Sequence, residues 1–389
     1  MTKLPEASWT KREDLAQLVA ALEADNARYV GGAVRDTLLG KDIHDIDIAT
    51  SLLPADVIDR CKAAGIRTVP TGIDHGTVTA ILPDGPVEIT TLRRDVSTDG
   101  RRATVSFATE WKEDASRRDF TINALYAHPD SLEISDYFGG VEDLGNGRVR
   151  FIGDARERIR EDHLRILRYF RFQTRFGDAW DEEATSASSE LASTLKGLSR
   201  ERVGWELQNL LGLPDPSPTV FKMRELGVMQ EVLPECGARE AEKLAELVRQ
   251  EREYGIAPDA MRRLAAIIPP VPSLAQAVSA RLRLSRAQRE RLSCVAQRDA
   301  SDSQQPLALA YYEGMECARD RLLLTRADPG ALEGWEAPQL PLKGGEIVQR
   351  GVGKGPQVAR ILQAVERRWV DEGFPDRTRV LALLDEELP

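Results

Sequence analysis

Near residue 150 this chain changes its period. Before that point, short β-branched runs are separated by Gly and Pro and interleaved with helical spacing; after it, one amphipathic stretch succeeds another to the C-terminus. This change predicts a mixed α/β head followed by an all-helical remainder. In the head, "RYVGG", "IHDIDIAT", "IRTVPT", "GTVTAIL" and "VEITTLR" read as strands. "TKREDLAQLVAALEAD" reads as a helix N-capped by Thr10, with Leu15, Leu18, Val19 and Leu22 on one face. "PADVIDRCKAAG" reads as a second helix closed by Gly65. Further on, "DARERIREDHLRILRYFRFQTRFG" predicts a single long helix ending at Gly177, and "LSRERVGWELQNLLG" another. Breaks fall at "PDPSP", "IIPPVPS" and "WEAPQLPLKGG", and no internal repeat is visible.

The most unusual local feature lies in "GGAVRDTLLGKDIHDIDIAT", where Asp45 and Asp47 sit two apart in an otherwise apolar run. On a strand, residues two apart share a face, so both carboxylates project together while Ile46 and Ile48 point the other way. Held that close they repel, and one resists ionising. A divalent cation removes the conflict. Hard oxygen ligands suit Mg²⁺, which shares its remaining positions with water and substrate phosphates. An edge strand with acids on its wet face is the alternative reading of the pair alone. The glycines ahead of it favour the metal: Gly31 and Gly32 let backbone approach a ligand closely, and "AVRDTLLG" predicts a helix beginning there, with Arg35 facing the same ligand.

Composition sets outer limits. The 389 residues carry a net charge of −10, which argues against broad, sequence-blind binding to polyanions. Local basic surfaces remain: residues 156–176 hold seven arginines against three acids, and residues 343–379 hold eight Lys or Arg against five. The cysteines Cys61, Cys236, Cys294 and Cys317 are far apart and form no CxxC pair, so reduced thiols in a cytoplasmic protein are expected. There is no apolar run of eighteen residues and no signal-peptide h-region, so no membrane association is expected. The four histidines do not cluster, and no P-loop, GxSxG or HExxH pattern competes for the assignment.

Together with segments downstream of it, the Gly31–Thr50 stretch resembles motif A of the class II nucleotidyltransferases, the CCA-adding tRNA nucleotidyltransferases and their poly(A) polymerase relatives. "EDASRRDFTINALY" (113–126), "DYFGGVEDL" (136–144) and "EDHLRILRYFRF" (161–172) resemble motifs B, C and D in the family's order, and "SRERVGWEL" (199–207) is a looser motif E. "ELGVMQEVLPE" (225–235) continues the match, which spans roughly residues 28–235. The resemblance implies an α+β, polymerase-β-like nucleotidyltransferase head with a mixed β-sheet over residues 1–142. A helical neck at 143–210 that recognises the base, a helical body at 211–335 and a helical tail at 336–389 would complete the chain. It also implies template-independent addition of C and A from CTP and ATP to the 3′ end of tRNA, releasing pyrophosphate.

Residue by residue, Asp45 and Asp47 would hold Mg²⁺ (or Mn²⁺). Glu88, mid-strand in "VEITTLR", would be either a third catalytic carboxylate or a structural residue. Gly31, Gly32 and Arg35 would hold the triphosphate. Arg117 and Arg118 can neutralise phosphate charge, while Asp119 and Asn123 can hydrogen-bond a ribose. Asp162, Arg165, Arg168 and Arg171 recur every three residues and would form a drifting stripe on one helix. The resemblance gives Asp162 and Arg165 the task of reading the base edge, with Arg168 and Arg171 extending the site towards base or phosphate. "RRDVSTDGRRATVSFATEWKED" (93–114) resembles the flexible loop of complete CCA-adding enzymes, with Gly100, Arg101 and Arg102 as its mobile, substrate-touching part. The helical remainder would hold the tRNA acceptor stem and elbow, with "GKGP" opening a phosphate-contacting helix in the tail. Alternatives within the family are an A-adding or CC-adding partial enzyme and a poly(A) polymerase; outside enzymes, an inactive tRNA-binding protein on the same fold. Oligomeric state is not encoded in any of these features.

Overall fold

The computed structural model of the chain describes residues 2–43, 45–98 and 103–388. The chain divides into two compact units, Met1–Leu210 with Thr219–Val232, and Leu211–Pro218 with Leu233–Pro389. In the first unit, helix α1 (Glu13–Leu22) buries Leu15, Leu18, Val19 and Leu22, as the spacing requires. Its N-cap is Arg12, not Thr10. The Thr10 hydroxyl instead donates to the Ala7 carbonyl, which closes the turn ahead of the helix. Strand β1 (Ala27–Val30) leads through Gly31 into helix α2 (Gly32–Leu38), and strand β2 (Ile46–Thr50) comes next. Helix α3 (Pro54–Ala63) starts on Pro54 and is followed by Gly65 at φ +74°. Strands β3 (Arg67–Gly72), β4 (Thr77–Leu82) and β5 (Gly85–Thr91) complete the expected set.

Strands β6 (Arg93–Thr98) and β7 (Ala103–Phe107) form a separate antiparallel ribbon. The segment expected as a loop is therefore ladder-paired over residues 93–98 and 103–107, with a register shift between Asp95 and Ser97. Gly100, Arg101 and Arg102 lie outside the described residues. After the ribbon come helix α4 (Trp111–Ser116), strands β8 (Leu125–Ala127) and β9 (Ile134–Asp136), and helix α5 (Gly140–Gly145). The main sheet has seven strands in the order β3-β4-β5-β2-β1-β8-β9. Only β2 and β5 run parallel. These two lie in the middle of the sheet and carry the acids.

The neck departs from expectation. What reads as one helix is two, α6 (Ala155–Glu161) and α7 (Arg165–Phe176), separated at residues 162–164. Asp162 leaves helical geometry at φ −148° and its side chain accepts a hydrogen bond from the Leu164 amide at 3.1 Å, closing a local turn between the two helices. Helices α8 (Glu182–Glu190) and α9 (Arg200–Leu211) come after it.

The second unit is helical throughout its described residues. One apolar core gathers Ile347, Ile361, Val365, Trp369, Leu383 and neighbours. "GKGP" does open a helix, Pro356–Asp371. Cys294 and Cys317 form a disulfide between the helices Arg286–Val295 and Met315–Leu324, with their Cα atoms 6.4 Å apart. This corrects the expectation of four reduced thiols: helix packing, not sequence spacing, brings the two together. Cys61 and Cys236 are free and buried. No helix among the described residues is long and apolar enough to cross a membrane.

Candidate active site

Parallel pairing sets Asp47 of β2 directly beside Glu88 of β5, and antiparallel pairing sets Val30 of β1 on its other side. The strand begins at Ile46, so Asp45 lies just ahead of the ladder and is exposed. β1 ends opposite Asp47 because the chain turns at Gly31, and Asp45 is left with no partner strand to hold it. It lines a neighbouring hollow of about 790 Å³ with Trp9, Arg12, Thr37 and Lys41. Asp47 is half-buried between the buried Ile46 and Ile48. Burial pushes its carboxyl up to about 6; the Glu88 and Asp45 charges add to the rise and Arg118 opposes it. Among the described residues its carboxylate makes no hydrogen bond. A raised, unpartnered carboxylate with a second acid alongside is a hard-oxygen set short of positive charge, and these residues fit a divalent cation.

Facing Asp47 is a cleft of about 440 Å³ whose walls collect Gly31, Gly32, Arg35, Arg117, Arg118, Asp119, Asn123, Asp162, Arg165 and Arg168. The expected residues outside its lining are Asp45, Glu88 and Arg171. Gly31 stands at φ +68°, ψ −121°, where a side chain is strained, and a Cβ there would approach the Arg118 guanidinium at 3.7 Å.

Helix α4 supplies an acid that sequence reasoning missed. Asp114, 1% exposed, accepts from Arg117 Nε at 2.8 Å, Arg118 Nη2 at 3.1 Å and the Tyr126 hydroxyl at 2.6 Å. Arg118 Nε donates in turn to the Tyr126 hydroxyl at 2.9 Å. Burial raises the Asp114 carboxyl, but Arg118, Arg117 and the tyrosine outweigh it and hold it at about 2. The signal was present: Asp114 precedes the two arginines by three and four residues, which is helical contact spacing.

A second network ties the sheet to α7. Arg168 forks onto Asp119 Oδ2 at 2.9 and 2.5 Å. The Asn123 amide donates to Asp119 Oδ1 at 2.9 Å, and Arg35 Nη1 donates to Asn123 Oδ1 at 2.5 Å. Arg35 Nε reaches Asp36 at 2.8 Å, and Arg175 returns to Asp36 at 3.2 Å. The chain of bonds leaves α7 at Arg168 and rejoins it at Arg175. Burial of Asp119 raises its carboxyl, but Arg168 and Asn123 bring it down to about 2. Arg35 is buried and lies over the Phe176 ring at 4.2 Å.

Arg165 donates to the Arg158 carbonyl at 2.8 Å and pairs with Glu161. Asp162 is engaged by Arg202 of α9 at 2.7 Å. Arg171 pairs with the buried Glu206 of α9 at 2.7 Å. Arg202 and Phe172 line the cleft and were not foreseen; packing of α9 brings Arg202 there, while Phe172 follows Arg168 by one turn of α7.

Comparison with known proteins points the same way. Residues 27–150 match the family described as the Poly A polymerase head domain. Residues 179–238 match a probable RNA and SrmB-binding site of polymerase A. The chain is 35% identical over 393 residues to the mitochondrial CCA tRNA nucleotidyltransferase 1 of Mus musculus, covering 95% of this chain and 89% of that one. It is 42% identical over 213 residues to the CCA-adding enzyme of Leuconostoc mesenteroides, covering 54% of this chain and 51% of that one. It is also similar in structure to the Bacillus stearothermophilus CCA-adding enzyme in complex with CTP. That match has a TM-score of 0.77 and 26% identity, and covers 96% of this chain and 98% of the other.

Proposed function

The chain belongs to the CCA tRNA nucleotidyltransferase family, and from that premise we propose how its residues carry the reaction. The enzyme adds C and A nucleotides from CTP and ATP to the 3′ end of tRNA without a template and releases pyrophosphate. The terminal 3′-oxygen forms a bond to the α-phosphorus as the bond to the pyrophosphate oxygen breaks. Such transfers depend on positioning and electrostatics more than on covalent help from the protein. The observation that best supports the site assignment is Asp47, paired in register with Glu88, its carboxyl raised by burial and lining an arginine-rich cleft.

The family is metal-dependent, and Mg²⁺ (or Mn²⁺) held by Asp45 and Asp47, with Glu88 alongside Asp47, would, when bound, activate the hydroxyl and neutralise charge on the transferring phosphoryl group. Gly31 and Gly32 present backbone to the triphosphate. Arg117 and Arg118 meet its charge from a position fixed by Asp114, and Arg35 closes the same wall. Asp119 and Asn123 take the ribose, each preset by an arginine behind it. Asp162 and Arg165 read the base edge, Arg202 holds Asp162 in place beforehand, and Arg168 and Arg171 extend the site. Residues 1–142 act as catalytic head, 143–210 as neck, 211–335 as body and 336–389 as tail. Body and tail hold the acceptor stem and elbow through backbone contacts, the general mode for duplex RNA.

The test is incorporation on three tRNA transcripts, ending before CCA, after C and after CC, with each nucleotide singly and with CTP and ATP together. Orderly addition of C, C and A followed by arrest is expected. Asp47→Ala is expected to abolish incorporation while leaving tRNA affinity within about twofold; an equal loss of both would make the carboxylate structural.

A further inference from the structure

One large apolar side chain stands in solvent on the rim of the cleft. Trp205 of α9 is 58% exposed, the highest value among the large apolar residues described. It sits one helical turn beyond Arg202, whose guanidinium engages Asp162 inside the cleft. Its neighbour Glu206 is buried and fixes Arg171 at 2.7 Å, with Arg168 at 3.7 Å. Held this way, the Arg171 guanidinium lies over two rings at once, Phe172 at 4.8 Å and Trp205 at 5.9 Å. Phe172 lines the cleft and Trp205 does not. A short track therefore leads outward from the nucleotide cleft: aromatic, arginine, aromatic, with a second arginine alongside.

We propose that Trp205 is a stacking platform for an unpaired base at the 3′ end of the tRNA. This rests on reading the cleft as the nucleotide site. The incoming nucleotide occupies that cleft, so an aromatic outside it but joined to it by arginines meets the other reactant, the strand whose 3′-hydroxyl must reach the α-phosphate. Unpaired RNA ends are recognised by stacking on aromatic faces and on guanidinium planes, and this works for any base. Base tolerance is required here, because the first acceptor ends in the base that precedes CCA and the later ones end in C. An apolar contact between copies of the chain would not call for flanking guanidinium groups.

Steady-state A addition to a transcript ending in CC tests the proposal with the full chain. Trp205→Ala is expected to raise the KM for tRNA by about 5- to 150-fold, the span of base–aromatic stacking. The KM for ATP at saturating tRNA should stay within twofold, and Trp205→Phe should restore most of the tRNA affinity. The parent's fluorescence should be quenched by a short single-stranded ribonucleotide ending in CC, and Trp205→Ala should lose that component. A tRNA KM within twofold of the parent, or one that rises in step with the ATP KM, overturns the proposal. So does a concentration-dependent change of oligomeric state that the substitution abolishes. Failure of the underlying cleft assignment would show itself separately, as nucleotide incorporation surviving in Asp47→Ala.

Discussion

Substituting Asp114 with Asn keeps the shape of a buried side chain, removes its charge and turns one of its two accepting oxygens into a donor. In the folded chain this carboxyl sits at about 2, against an ordinary 3.8. Burial works against that depression, so Arg118, Arg117 and the Tyr126 hydroxyl must supply more than the net shift. A depressed folded value stabilises the native state above the unfolded value and loses that contribution as pH falls through the folded one. The difference corresponds to about 2.5 kcal/mol at neutral pH, reduced to about 1.3 kcal/mol at pH 3. Asp114→Asn also leaves two partly buried guanidinium groups without their counter-charge, and breaking a buried pair from one side costs about 3–5 kcal/mol. We expect a loss of about 3 kcal/mol at pH 7 by urea unfolding, narrowing by about 1 kcal/mol at pH 3. The same variant should raise the KM for both CTP and ATP, because Arg117 and Arg118 lose the group that aligns them. A stability gap under about 1 kcal/mol, or one equally large at both pH values, would refute the reasoning.

Two other substitutions probe separate parts of the site. Gly140→Ala places a Cβ inside van der Waals contact of the Thr121 carbonyl in the turn that carries Asn123. A destabilisation of at least about 1–3 kcal/mol with reduced nucleotide affinity is expected, measured by thermal unfolding and nucleotide titration. Arg165→Ala should relax the choice among CTP, ATP, GTP and UTP more than it weakens triphosphate binding, read from single-nucleotide incorporation. Unchanged selectivity would remove Arg165 from base recognition.

Much of the head was legible because its signals are local. Alternating β-branched runs bounded by Gly and Pro mark β1 and β3 to β5 almost to their ends, while β2 starts three residues later than its run and leaves Asp45 ahead of it; Pro54 with Gly65 brackets α3. Most of the residues that the family resemblance singled out line one cleft, because the ordered motifs that carry them end at the same edge of the sheet and on α7. Features set by tertiary placement were not legible. The period of three through Asp162, Arg165 and Arg168 continues unbroken across a helix that in fact stops, because a local turn at Asp162–Leu164 and not a Gly or Pro breaks it. The ribbon of β6 and β7, the Cys294–Cys317 bridge and the Arg202 contact all depend on partners that no spacing reveals. The pairing of Asp47 with Glu88 rather than Asp45 falls between these cases: each strand was readable, but the register joining them was not.

The loop of hydrogen bonds that leaves α7 at Arg168 and returns at Arg175 has a mechanical consequence. A rod pinned at two points seven residues apart, about 10.5 Å along its axis, can neither roll nor slide without breaking a pin. Changing preference from C to A by rotating the whole helix would cost both attachments. Arg165 and the Asp162–Leu164 break lie ahead of the first pin, on an overhang of less than one turn. On the proposed assignment, discrimination between the two bases would fall to side-chain rotation and to that overhang, while the pinned shaft would keep Asp119 and Asn123 in the same place for either nucleotide.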